Sequence, residues 1–181
     1  MKKIAVIISA GFEELEAITV IDLLRRSNIG VEVLGVGSTQ LTGAHGITIA
    51  CDDGFDYYSS LEYDGVVIVG GMNNAINLSQ DDKVLALLKD YMSKGKMVAG
   101  ICAAPALVFS VAGILDDKQA TCYPSPSLIE QVGDGYLDSP CVVCDNLITS
   151  QSPDTALEFA LTIIKYLGYD AGVVYSELQG K

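Results

Sequence analysis

One cysteine stands where a catalytic thiol would be expected. Residues 98–105 pass from an apolar, strand-like run to small residues that open a helix, and Cys102 lies between the two. A sharp turn of this kind, a nucleophile elbow, pushes its central side chain into a cleft and requires small neighbours such as Gly100, Ala103 and Ala104. Unpaired N–H groups at the helix start favour a thiolate, so we expect a lowered pKa. We interpret Cys102 as a nucleophile; a buried structural cysteine is the alternative.

Acidic residues near the first predicted helix supply a partner for this thiol. Acidic side chains are favoured at helix N-termini, which is enough to explain Glu13 and Glu14. Glu16 lies further into the helix, near the side that approaches the sheet edge. Burial there would raise the pKa of its carboxyl. A protonated Glu16 could then donate a hydrogen bond to the Cys102 sulfur.

Two glycines, Gly70 and Gly71, follow another apolar run. They are typical of a turn, but they also allow backbone N–H groups to approach a reacting oxygen. Together with the N–H of Ala103, the N–H of Gly71 could form an oxyanion hole.

The elements around these residues predict an α/β fold. Short runs rich in Val and Ile predict buried strands over residues 3–9, 31–36, 65–69 and 97–101. Helical patterns over residues 15–27, from Ser79 to Gly95, and from Ser152 to Gly168 separate or follow them. We expect a mostly parallel sheet covered on both faces, with shorter strand or hairpin insertions over residues 42–52 and 141–149. The carboxyl ends of parallel strands share one edge, where ligands bind.

No metal or cofactor site is predicted. His45 is the only histidine, and a loop histidine is more often a surface residue than a ligand. Cys141 and Cys144 have the spacing of half a zinc knuckle, but a strand places them on opposite faces and no second pair exists. Residues 35–37 lack the third glycine of a dinucleotide fingerprint, and no phosphate-binding loop is present.

Composition excludes several classes of partner. The 181 residues carry a formal net charge of -12, so nucleic acid and anionic membranes are not expected partners. The longest apolar stretches are too short for a bilayer, and we expect no secretory signal before the first strand. An odd number of cysteines, five, suits reduced thiols. We expect a cytoplasmic protein.

Four motifs, taken together, resemble the ThiJ/PfpI family. They are GFEELE at residues 11–16, GG at 70–71 with NL at 77–78, AGICAAP at 99–105, and TSQSP at 149–153. The resemblance runs in order from about residue 3 to 167 and points to the branch of the Parkinsonism-associated protein DJ-one, within the class I glutamine amidotransferase-like superfamily. It implies a single domain over residues 1–181, a flavodoxin-like three-layer sandwich, and a homodimer.

The resemblance also implies roles for single residues. Cys102 would be the reactive, easily oxidised thiol and Glu16 its protonated partner, with the amides of Gly71 and Ala103 nearby.

Three further positions follow from the resemblance. Arg26 matches a basic position that family dimers place near the neighbouring subunit's site, and His45 falls where many relatives have Arg. Tyr123 takes the place of the His found in relatives with a Cys-His pair. A phenol with a pKa near 10 is a poor general base, so protease or amidase activity is not expected.

The resemblance implies chemistry on small reactive carbonyls. We hypothesise a glutathione-independent glyoxalase or a protein or nucleotide deglycase that acts, without a cofactor, on a small aldehyde or glycated substrate. The alternative is an oxidative-stress sensor or chaperone in which Cys102 is oxidised and no substrate turns over. A third hypothesis is a catalytically silent member whose Tyr57-Tyr58 and 169–175 segments serve dimer packing.

Overall fold

Alternating strands and helices form a layered α/β structure in a computed structural model that describes residues 1–56 and 62–181; the pair Tyr57-Tyr58 lies outside these residues. The strands are β1 (Lys3–Ile8), β2 (Gly30–Gly35), β3 (Gln40–Thr42), β4 (Thr48–Ala50), β5 (Asp53–Gly54), β6 (Gly65–Ile68), β7 (Met97–Ile101), β8 (Cys141–Cys144) and β9 (Leu147–Ser150). The helices are α1 (Glu14–Arg26), α2 (Met72–Ser79), α3 (Asp82–Ser93), α4 (Pro126–Val132), α5 (Ala156–Tyr166) and α6 (Ala171–Leu178). A π-helical segment (Pro105–Phe109) and 3-10 turns (Gly133–Gly135 and Pro153–Thr155) complete these elements.

Seven of the described strands form one sheet in the order β5-β2-β1-β6-β7-β9-β8. Every neighbouring pair is parallel except β8 and β9, which are antiparallel. Strands β3 and β4 form a separate antiparallel hairpin. The predicted, mostly parallel sheet is therefore confirmed. The carboxyl ends of β1, β6 and β7 lie side by side at one edge.

Apolar layers cover both faces of the sheet. One layer contains residues of α2, α3 and the π-helical segment, among them Leu78, Leu88 and Phe109. The other contains residues of α1 and α5, among them Leu24 and Phe159. Because the central strands are buried on both faces, their sequences are continuous apolar runs rather than alternating ones. Among the helices described, none has the length and hydropathy that crossing a bilayer requires.

The second predicted helix corresponds to α3, and a further helix that was not predicted, α2, comes before it. Ser79 does not open a helix but ends α2. Helix α3 begins after Asp81, whose carboxylate accepts hydrogen bonds from the backbone N–H groups of Lys83 and Val84. The sequence pattern missed α2 because this helix is short and has no capping side chain, only Gly71 in a left-handed conformation, with φ of 89°.

A glycine in β7 allows the chain after the strand to fold back onto the sheet. A Cβ atom on Gly100 would lie 2.4 Å from Cζ of Phe109 in the π-helical segment. The ring therefore occupies the space that a side chain at Gly100 would need. This contact fixes the direction in which the chain leaves β7, which matters because Cys102 directly follows that strand.

Candidate active site

Cys102 lies in a strained turn between β7 and the helical residues that follow. Its φ is 63°, in the left-handed region, where a non-glycine residue costs on the order of 1–3 kcal/mol. Its N–H donates to the carbonyl of Ser150 at 2.9 Å, and its carbonyl accepts from the N–H of Tyr123 at 2.8 Å. These two hydrogen bonds hold the strained residue in place. The residue is only partly buried.

Gly70 provides the space in which the thiol and a carboxyl meet. A Cβ on Gly70 would lie 2.6 Å from Cβ and 3.0 Å from Sγ of Cys102, and 2.7 Å from Oε2 of Glu16. The next residue, Gly71, has φ of 89° and would place a Cβ 2.2 Å from the carbonyl oxygen of Gly11. A side chain at Gly70 would therefore clash with Cys102 and Glu16, and one at Gly71 would clash with the backbone of Gly11. The two glycines also leave their backbone N–H groups unobstructed.

Glu16 is a fully buried carboxyl at the start of α1. Its Oε2 accepts a hydrogen bond from the N–H of Gly70 at 2.6 Å, whereas its buried Oε1 has no such partner of its own among the described residues. Burial raises the pKa of Glu16 to about 7, against the opposing effect of hydrogen bonds from Gly70 and Cys102. A large fraction of Glu16 therefore keeps its proton near neutral pH.

The pKa of the Cys102 thiol is raised, which corrects the lowered pKa expected from the sequence. Burial is the largest cause, followed by the charge of Glu16 and its hydrogen bond with the thiol. The N–H groups of Gly71 and Ala103 donate to the sulfur and lower the pKa, but by less. A carboxylate on Glu16 therefore opposes formation of a thiolate on Cys102. When the pair is ionised it carries a single negative charge, and the two groups share the one remaining proton.

A buried amide fixes the Gly70-Gly71 turn. Oδ1 of Asn74 accepts from the N–H of Ser9 at 2.6 Å, and Nδ2 donates to the carbonyls of Val69 and Gly70 at 2.8 and 3.1 Å. Asn74 thereby ties the carboxyl end of β1 to that of β6. Sequence pattern did not single out this residue, because an Asn after two glycines is equally typical of an ordinary turn.

The remaining predicted positions have different surroundings. Tyr123 holds Cys102 through its backbone N–H, while its own side chain is 44% exposed. Arg26, at the end of α1, donates from Nε to the Asp22 carboxylate at 2.9 Å on the exposed surface.

His45 lies against the start of α1, a contact that the sequence pattern did not indicate. Its Nδ1 is 2.9 Å from Oε2 of Glu14, and its N–H donates to Oε1 of the same carboxylate at 2.7 Å. Burial of Glu14 acts against ionisation, but hydrogen bonds from His45 and from the backbone lower the pKa of Glu14 to about 2. The hydrogen bond to Glu14, followed by the charge of Glu13, raises the pKa of His45. The 31-residue separation explains why local pattern gave no signal for this contact.

Comparisons with known proteins agree with this architecture. The model of the DJ-1/PfpI family matches residues 2–166. Protein dj-1beta of Drosophila melanogaster is 38% identical over 170 residues, which are 92% of this chain and 89% of the relative. The solved structure of oxidized DJ-1 from Toxoplasma gondii superposes with a TM-score of 0.94 at 30% identity, covering 99% of this chain and 98% of that one.

Other relatives differ in length or carry functional names. Protein DJ-1 homolog B of Arabidopsis thaliana is 35% identical over 97% of this chain, but the chain spans only 40% of that relative. A glutathione-independent glyoxalase of Caenorhabditis elegans is 30% identical over 86% of this chain and 82% of its own length. A deglycase of Thermococcus kodakarensis is 28% identical over 91% of this chain and 99% of its own length.

The raised pKa of Glu16 predicts a specific dependence of stability on pH. The folded carboxyl binds its proton up to about pH 7, against a reference value of 4.5, so the native state binds more protons between these limits. The free energy of unfolding should therefore fall by about 3 kcal/mol as the pH rises through this window. Urea denaturation at several pH values should show this loss in the wild type, and the Glu16→Gln variant should lack it.

The exposed Glu130 provides the matched control. Glu130→Gln should retain the pH dependence of the wild type, and other titrating groups such as His45 contribute equally to all three proteins. Parallel curves for the wild type and Glu16→Gln would contradict the assignment of a protonated Glu16.

Proposed function

The chain belongs to the DJ-1/PfpI family, and we propose on this basis that it is a cysteine-dependent enzyme of small reactive carbonyls, of the glyoxalase or deglycase type. The observation that carries the proposal is the contact between the partly buried Cys102 thiol and the buried carboxyl of Glu16, whose pKa is raised to about 7. The relatives named glyoxalase and deglycase support this substrate class.

The first step requires a sulfur anion. In the ionised pair the negative charge resides either on the carboxyl or on the sulfur. Transfer of the thiol proton to Glu16 places the negative charge on Cys102. The N–H groups of Gly71 and Ala103 donate to the sulfur and stabilise that form. Burial opposes the charged form of both groups, so these two N–H donors are what stabilise the charge on the sulfur when Glu16 takes the proton. The attacking thiolate and its proton donor are therefore produced in the same step.

For methylglyoxal, the thiolate adds to the aldehyde carbon to give a hemithioacetal. Glu16 protonates the new oxygen, and the amides of Gly71 and Ala103 stabilise the negative charge as it develops. The carboxylate of Glu16 then removes the proton from the former aldehyde carbon and returns it to the adjacent carbon, while the hydroxyl proton of the hemithioacetal passes to the former ketone oxygen. The first carbon is thereby oxidised to a thioester while the ketone is reduced to an alcohol. Water hydrolyses the thioester to lactate and frees the thiol, so no external oxidant or reductant is needed.

Protease and amidase activity are not part of this proposal. The resemblance aligns Tyr123 with the histidine of relatives that have a Cys-His pair, and a phenol is a poor base at neutral pH. Glu16 is then the group that moves protons beside Cys102.

Turnover of methylglyoxal tests the proposal. Purified wild-type protein should convert methylglyoxal to lactate, measured enzymatically after quenching. Cys102→Ser and Glu16→Gln should each reduce the rate by at least about 100-fold, since they remove the nucleophile and the proton-transfer group. Cys144→Ser, which removes a partly buried thiol on the edge strand β8, should retain the rate of the wild type.

Equal rates for the wild type, Cys102→Ser and Glu16→Gln would end the proposal. If the wild type releases no lactate but removes the adduct from a methylglyoxal-treated peptide in a Cys102-dependent manner, the enzyme is a deglycase rather than a glyoxalase.

A second candidate function is a redox sensor or chaperone. It is favoured by the two N–H groups that donate to the Cys102 sulfur, which suit an oxidised, anionic sulfur as well as a thiolate. The similar Toxoplasma gondii protein was solved in an oxidized form. Mild peroxide followed by intact mass spectrometry distinguishes the two functions. Gain of two oxygens at Cys102, with protection of client proteins and without lactate formation, would favour the sensor.

We also propose that the chain forms a homodimer and that Arg26 reaches the neighbouring subunit's site, as the family resemblance implies. Arg26 is exposed and paired with Asp22 on the surface, so it is available for such a contact. Light scattering coupled to size exclusion measures the molar mass, and a monomer at micromolar concentration would contradict this proposal.

A further inference from the structure

We propose that Glu13, Glu14 and His45 form a binding site for a divalent transition-metal ion of the zinc type. The site uses neither Cys102 nor Glu16 as a ligand and does not rest on the proposed function. It joins the start of α1 to the turn of the β3–β4 hairpin.

The donor atoms have the spacing of a metal site. One ligand atom from each residue lies within 4.8 Å of the others. Nδ1 of His45 is 2.9 Å from Oε2 of Glu14 and 3.6 Å from Oε2 of Glu13. In a tetrahedral shell with bonds of about 2.0–2.1 Å, neighbouring donors lie about 3.3–3.4 Å apart. The two observed distances bracket this value, so adjustments of a few tenths of an ångström would give the ring the spacing of a shared ion with each carboxylate.

The Glu14 carboxylate is already oriented for such a role. Its Oε1 accepts hydrogen bonds from the N–H groups of His45 and Ile47, at 2.7 and 3.3 Å. These backbone donors leave Oε2 directed at the His45 ring. Gly43 permits this arrangement, because a Cβ there would lie 2.4 Å from Cδ of Glu14. Hydrogen bonds that orient a ligand in this way are typical of metal sites.

Burial and charge also favour an ion over a simple ion pair. The side chains of Glu13 and Glu14 are only 15% and 7% exposed, so two carboxylates meet at a poorly hydrated place. One protonated histidine would leave the group with a net negative charge, whereas a divalent ion held by the neutral ring balances both carboxylates. Oxygen and imidazole ligands suit zinc and its neighbours in the first transition series.

The site is open on one side. His45 is 68% exposed. The cluster borders a cavity of about 610 Å³ that is also lined by Leu15, Ile18 and Ile47. Three protein ligands leave a fourth position for water or a further ligand.

Titration with zinc alone tests this inference. The full-length protein, freed of metal with a chelator and kept reduced, is titrated with Zn²⁺ by calorimetry at neutral pH. We expect saturable binding of one ion in the wild type. His45→Gln should lower the affinity for zinc by at least about 10-fold. Loss of a residue that only hydrogen-bonds to a metal ligand already lowers affinity by about 10–100-fold. Because His45 is largely exposed, this variant should fold normally, which thermal unfolding in chelator verifies.

Two controls separate this site from the thiols and from surface acids. Cys102→Ser should bind zinc as tightly as the wild type, and so should Glu130→Gln, which removes an exposed carboxylate elsewhere. The spectrum with Co²⁺ should lack a thiolate charge-transfer band. Zinc binding that disappears in Cys102→Ser but persists in His45→Gln would overturn the inference, and so would the absence of saturable binding in the wild type.

Discussion

The site depends on one electrostatic constraint, namely that a buried carboxyl and a thiol share a space too poorly hydrated for two negative charges. Glu16 is fully buried, and its charge and hydrogen bond both raise the pKa of Cys102. The pair therefore exchanges one proton rather than losing two. This arrangement links the formation of the nucleophile to the formation of its acid, which is what addition to a carbonyl requires.

The scaffold holds this pair through backbone geometry and through one buried amide side chain, Asn74. Parallel pairing of β1, β6 and β7 brings their carboxyl ends to one edge. The absence of a side chain at Gly70 lets the thiol and the carboxyl approach, and Asn74 fixes the turn that contains this glycine. Two backbone hydrogen bonds hold Cys102 in its strained conformation. Fixed dipoles and a fixed turn mean that little reorganisation is needed when charge develops.

Much of this arrangement is predictable from the sequence, because it follows from local pattern. The buried strands are continuous apolar runs, and the four predicted ones lie within a residue or two of those observed. Cys102 and Glu16 are recognisable because each follows or faces a predicted strand end. The direction of the Cys102 pKa shift is not predictable, since it depends on how far burial outweighs the N–H donors. Contacts between distant segments, such as His45 with Glu14 and Asn74 with Ser9, also escape prediction because they leave no local periodicity.

The titration of the Glu16 carboxyl tests most directly whether a buried, neutral acid lies beside the thiol. Glutamate side chains labelled with ¹³C are followed by NMR as a function of pH, and the resonance absent from Glu16→Gln identifies this residue. We expect a midpoint near 7 for Glu16. A midpoint at or below the ordinary value of 4.5 would show that the carboxyl is ionised beside the thiol at neutral pH, and would contradict the shared proton on which the proposed chemistry depends.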